Sequence, residues 1–176
     1  MPTTQQKNDF LEKDFYDALR WLFVGAVTWH ATGVQQERCP HQRVLSMYTA
    51  FVQARALYEF YGAGGRGDDV RARHLIPSWR FNSRLHARYM AAGSPTNKRV
   101  FHLVYQRARH AGGTGHDGPD HLKNQVLEIA RDLRRLTEQF VSQLDARFHG
   151  KAAAALRKAV EEAESVARFH GIADPL

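Results

Sequence analysis

Apolar residues recur every three or four positions along most of this chain, which is the spacing of one face of an α-helix. The first such stripe predicts a helix over residues 8–32. The second predicts a helix over residues 40–61, which ends at a run of glycines. Two later stripes predict a helix over residues 122–148, ended by Gly150, and an alanine-rich helix over residues 151–169.

The middle of the chain has shorter patterns. Residues 62–77 predict a loop with one short turn around residues 70–74, and residues 78–90 predict a short helix. Ser94 and Pro95 form a helix-start signal for residues 94–108, with serine as the cap and proline in the first turn.

The fold class follows from these helical patterns. No segment alternates with the period of two that a strand requires. We therefore expect an all-α, five- to six-helix antiparallel bundle. We expect it to form a single domain over residues 1–176, with a core bundle over residues 8–148 and the alanine-rich helix after it.

Composition excludes several classes of protein. The longest apolar run, residues 21–29, is less than half of the roughly 20 residues that a membrane span needs. The first residues have no apolar leader, so we expect a cytoplasmic location. The single cysteine, Cys39, rules out an internal disulfide and a cysteine-built zinc site. No cofactor motif is present, so none is predicted.

The formal net charge of +7 is concentrated in one part of the sequence. Residues 66–110 contain ten lysines and arginines but only two aspartates, while the rest of the chain is close to neutral. Arginine suits bidentate phosphate contacts, and interleaved aromatic residues such as Trp79 and Phe81 suit base stacking. The candidate nucleic-acid-binding residues are Arg71, Arg73, Arg80, Arg84, Arg88, Arg107 and Arg109. The alternative is that these arginines solvate one face or bind an acidic protein partner.

Helical spacing places His102 on an arginine-rich face. Arg99, His102 and Gln106 follow one another by steps of three and four residues. A histidine near neutrality can take the proton from an RNA 2′-hydroxyl, and arginines can stabilise charge on the phosphorus without a metal. The alternative is a structural histidine that is held by a hydrogen bond.

Two other groups of residues suggest chemistry. Arg55 and Glu59 are four residues apart on the predicted second helix, which indicates either a structural ion pair or two side chains lining a cleft. Residues 110–121 contain three histidines and two aspartates. Because four glycines interrupt them, we interpret this segment as a helix connector and predict no metal site.

The segments Phe51–Phe60 and Asn97–Leu103 make the chain similar to the HEPN superfamily, including its abortive-infection branch, over residues 8–148. The resemblance implies a dimeric helical protein, often a metal-independent endoribonuclease or toxin with an Arg-X4-6-His motif. His102 matches the motif histidine and Asn97 its polar position. Thr96 stands at the arginine position, so Arg99 or an arginine elsewhere in the chain would have to supply that charge.

The motif spacing also occurs elsewhere in the chain, between Arg80 and His86 and between Arg109 and His116. The leading hypothesis is a HEPN-like protein that engages RNA, either as an endoribonuclease or as a relative without catalysis. The candidate catalytic residues are His102, Arg99, Asn97, Arg55 and Glu59. The alternatives are a bundle that binds an acidic, antitoxin-like protein and a bundle with a small-molecule or metal site. We also expect a homodimer, because the apolar stripe over residues 122–148 is flanked by aromatic-rich helices whose apolar surface exceeds what one small bundle can bury.

Overall fold

The computed structural model describes residues 1–34, 40–62, 69–81, 121–173 and 175–176, with backbone alone for residues 32–34, 40–44 and 121–125. Within these ranges the chain is helical and contains no strand, which confirms the predicted all-α bundle. In the part of the chain that the structure describes, five helices are nine residues or longer, and a sixth is a single turn. They are α1 (Thr4–Glu12), α2 (Asp14–Val34), α3 (Pro40–Tyr61), α4 (Ala72–Leu75), α5 (His121–Ser142) and α6 (Ala146–Phe169).

Helices α2 and α3 pack side by side in opposite directions. Phe15 near the start of α2 lies against Phe60 near the end of α3, with ring centroids 5.5 Å apart. Further along α2, Gly25 reaches the middle of α3, and a Cβ there would lie 2.8 Å from the Ser46 carbonyl oxygen. A side chain at position 25 would therefore push the two helices apart.

Helix α6 runs parallel to α2 and is joined to it by polar contacts. The Glu162 carboxylate accepts from the Tyr16 hydroxyl at 2.5 Å and from Arg20 Nε at 2.6 Å. The Tyr16 hydrogen bond is the main cause of a lowered pKa at Glu162. Just before α2 begins, Glu12 at the end of α1 forms an ion pair with Lys151 near the start of α6. The alanine-rich helix is thus part of the bundle and packs against α1, α2 and α5.

Residues 69–81 are held on the bundle by an aromatic cluster. Trp79 lies edge-on to Phe140 of α5, with ring centroids 5.4 Å apart, and Trp79 Nε1 donates to the Tyr61 carbonyl oxygen at 3.0 Å. The Tyr61 hydroxyl lies 2.8 Å from Thr137 Oγ1, which itself donates to the Leu133 carbonyl at 2.6 Å. Tyr61 is therefore the donor in its pair. Complete burial raises the pKa of Tyr61. We call residues 69–81 the anchored stretch.

The first predicted helix is two helices. A break at Lys13 separates α1 from α2, although Lys13 keeps right-handed helical dihedrals. Leu11 and Phe15 are both buried on either side of the break, so the apolar spacing continues across it and conceals it. The start of α1 at Thr4 also precedes the predicted start, because Thr3 and Gln6 form a reciprocal capping box.

The predicted boundary at Gly150 is wrong. Helix α5 ends at Ser142, and Asp145 caps α6 by accepting from the Arg147 backbone N–H at 3.1 Å. Gly150 lies inside α6, where a Cβ would meet nothing within 4 Å. Phe140, Leu144 and Phe148 are all buried at four-residue spacing, so the stripe again continued across the turn. The predicted α3 bounds are confirmed, and the predicted turn near residues 70–74 corresponds to α4.

The apolar stripe that suggested a dimer is covered within one chain. From Val126 to Phe148, each of its described residues is at most 8% exposed. The stripe therefore gives no reason for a second copy, and the homodimer stays a prediction. None of the helices in the described ranges combines the length and the apolarity needed to cross a bilayer.

Candidate functional site

The predicted catalytic residues divide into three outside the described residues and two on α3. His102, Arg99 and Asn97 lie outside the described residues. The same is true of four of the predicted nucleic-acid-binding residues: Arg84, Arg88, Arg107 and Arg109. The structure places the other five predicted site residues on α3 and on the anchored stretch.

Arg55 and Glu59 form the ion pair that their spacing indicated. Arg55 Nε lies 2.8 Å from Glu59 Oε1, and about a third of each side chain is exposed. Solvent therefore screens this pair, which contributes little to stability. Glu59 also lines a cleft between helices, whereas Arg55 is not among the lining residues.

The anchored stretch presents two of the predicted phosphate-binding arginines to solvent. Arg73 and Arg80 are exposed. Arg71, at 6% exposure, is buried just before α4 and is therefore not part of the same surface. The interpretation of Trp79 as a base-stacking residue is wrong, because Trp79 is 7% exposed and belongs to the core. Phe81 also packs towards the core, with its ring 6.2 Å from that of Tyr58.

His74 on α4 lies close to several positively charged side chains. Its pKa is lowered first by burial and then by the charges of Arg73, Arg71 and Lys7. The neutral ring then accepts a hydrogen bond at Nδ1 from the Arg71 backbone N–H, at 3.1 Å. Cations from α1 and from the anchored stretch thus face the same histidine.

A cleft of about 770 Å³ opens beside this positive region. It lies between α1, the start of α2, the second half of α3 and the first residues of the anchored stretch. Phenylalanine rings form its apolar lining, with Phe10 stacked on Phe60 at 5.1 Å and Phe15 6.0 Å from Phe10. The volume of this cleft falls within the range of small-molecule sites. We call it the acidic cleft.

The charge of the acidic cleft is opposite to that of the chain. Its lining contains one arginine, Arg71, and five carboxylates: Asp9, Asp14, Asp17, Glu59 and Asp69. Asp14 and Asp17 lie in the first turn of α2, where they also complement the helix dipole. Within the described ranges no ion pair involves either of them.

Sequence reasoning missed the acidic cleft. Its carboxylates come from four separate segments, and the break at Lys13 that brings α1 over α3 does not interrupt the apolar period. The available signal was the acidic spacing of Asp9, Asp14 and Asp17 around the first apolar stripe.

The carboxylates of the cleft do not form a metal site. Among the residues that the structure describes, no group of three or more histidine, cysteine, aspartate or glutamate side chains is placed to hold a metal ion. Of the histidine-rich segment, His110 to Asp120 lies outside the described residues. The cleft therefore presents several separate carboxylates around its apolar side chains.

Comparisons with known proteins give no family for this chain. No protein-family model matches it, and no curated protein and no solved structure shows significant similarity to it.

Proposed function

We propose that this chain binds RNA through its basic segment, residues 66–110, as a HEPN-like helical protein. The observation that carries the proposal is the segregation of charge, with ten basic residues and two aspartates in this segment and near neutrality elsewhere. Phosphates dominate the affinity of proteins for nucleic acids, so a local excess of arginine is the relevant quantity.

The described part of the segment supports this proposal in two ways. Trp79 fixes the anchored stretch against α3 and α5, which leaves Arg73 and Arg80 exposed on a rigid support. Burial is the first cause of the lowered pKa of His74, and the charges of Arg73, Arg71 and Lys7 lower it further. Arg73 and Arg80 are thus both open to phosphates in solution.

The test is a titration of a fluorescently labelled single-stranded RNA at several salt concentrations, followed by anisotropy. On single strands, each neutralised phosphate contributes about −0.7 to the log–log salt slope. Arg73→Gln combined with Arg80→Gln should therefore flatten the slope by about 1.4. The matched control is Arg135→Gln with Arg157→Gln, two exposed arginines on α5 and α6, which should leave the slope unchanged.

An unchanged slope in the Arg73 and Arg80 variant would place the RNA site elsewhere. Competition by polyglutamate as strong as that by RNA at equal charge would instead favour the acidic protein partner. Cleavage is tested in the same samples with chelator present. Metal-independent cleavage that is lost in His102→Ala, with an unchanged melting temperature, would support the nuclease. RNA binding without cleavage would support the relative without catalysis.

A further inference from the structure

We infer that the acidic cleft binds a small organic polycation, in particular a linear polyamine with ammonium groups separated by short methylene chains. This inference does not depend on the proposed function, because it is tested at Asp14 and Asp17 of α2, which lie outside the basic segment. It starts from the shape of the cavity, whose volume of about 770 Å³ falls within the range of small-molecule sites.

The lining of the cleft selects the class of ligand. Five carboxylates and one arginine disfavour an anion and attract a cation. Because no three of these carboxylates lie close enough together to hold one metal ion, they suit a ligand whose positive charges are spread along its length better than a single metal ion. Asp14 and Asp17 are three residues apart on α2, so their side chains are neighbours that can receive adjacent ammonium groups.

The aromatic part of the cleft suits the body of the same ligand. Phe10 is partly exposed and lies against the buried rings of Phe15 and Phe60, with centroid distances of 6.0 and 5.1 Å. Methylene groups gain by covering the open part of the Phe10 ring, and an ammonium group over that ring gains a cation–π attraction. A linear polyamine uses both properties, whereas a hydrated inorganic cation uses only the charge.

The experiment is isothermal titration of spermidine into RNA-free protein at low ionic strength. We expect saturable binding that weakens at least tenfold in Asp14→Asn combined with Asp17→Asn, since charge-assisted hydrogen bonds are lost. The control, Glu161→Gln with Glu164→Gln, makes the same change in net charge on α6 and should stay within about twofold of the parent. Phe10→Leu should weaken binding several-fold, because it keeps apolar bulk and removes the ring.

Three results would overturn the inference: no saturable binding, equal weakening in the cleft variant and its control, or displacement of spermidine by an equal concentration of Mg²⁺. Melting curves accompany each titration. If the double variant melts early, the single variants Asp14→Asn and Asp17→Asn provide the test, and both must weaken binding. None of these results bears on RNA affinity, so this inference and the proposed function fail separately.

Discussion

The acidic cleft and the anchored stretch are neighbours with opposite electrostatics. Arg71 lies where they meet, since it lines the cleft and immediately precedes α4. On one side, carboxylates surround phenyl rings. On the other, the pKa of His74 is lowered first by burial and then by nearby cations that include Arg73 and Lys7. A net charge of +7 therefore describes neither surface, and the ligand of each region has to be inferred from its own residues.

The largest effect should come from removing the anchor of the basic side. Trp79→Ala should reduce the free energy of unfolding by about 3 to 5 kcal/mol, because a large buried ring is replaced by a cavity. Trp79→Phe should cost about 1 to 3 kcal/mol, because the Tyr61 carbonyl loses its donor. Urea denaturation provides the measurement.

Trp21→Ala is the control for that series, because Trp21 is 42% exposed and should cost less than about 1 kcal/mol. Equal losses at the two tryptophans would mean that the anchored stretch is not fixed to the core by Trp79.

A smaller effect is expected at the boundary between the regions. Because the pKa of His74 is below its ordinary value of 6.5, the unfolded chain takes up this proton first as the pH falls. The contribution of His74 to the free energy of unfolding should thus be fully present above pH 6.5. It should decline as the pH falls towards and through the pKa of His74 in the folded protein.

Urea denaturation between about pH 7.5 and about pH 5 checks this, and His74→Asn should flatten the decline while retaining an acceptor for the Arg71 N–H. The lower limit keeps Glu162 out of the measurement, since its pKa lies below 4.5. Stability at this site that increased towards acid would contradict the assigned environment.

The smallest effect is expected at the rim of the cleft. Glu59→Gln should change stability by no more than about 0.5 kcal/mol, because its ion pair with Arg55 is between adjacent turns and partly solvated. Thermal denaturation is the measurement, with Glu138→Gln as the control, since Glu138 pairs with Arg134 at the same spacing on α5. A loss of more than about 3 kcal/mol at Glu59 alone would indicate a buried pair.

The sequence predicted the parts of the fold in which the apolar period and the end signals agree. Helix α3 was predicted at its observed bounds because proline begins it and glycines follow it. The breaks at Lys13 and at residues 143–145 were missed because buried residues keep four-residue spacing across both. The spacing of apolar residues shows which side of the chain is buried. It does not show whether the helix is continuous.

The candidate site was less predictable for a related reason. The Arg55–Glu59 pair was found because it is local to one helix. The burial of Arg71 and Trp79 depends on how the anchored stretch packs against α3 and α5, and the acidic cleft depends on side chains from four segments. Composition gave the charge of the chain correctly, but it could not show which surface each charge would face.

The most direct test of the account is a crossed titration of two variants with two ligands, labelled single-stranded RNA and spermidine, each measured separately. Asp14→Asn with Asp17→Asn should lose at least tenfold in spermidine affinity and keep its RNA affinity. Arg73→Gln with Arg80→Gln should flatten the salt slope of RNA binding and keep its spermidine affinity. If both variants bind both ligands more weakly, or if neither variant binds either ligand more weakly, the two regions are not separate sites for a cation and for RNA. Either result would contradict the account.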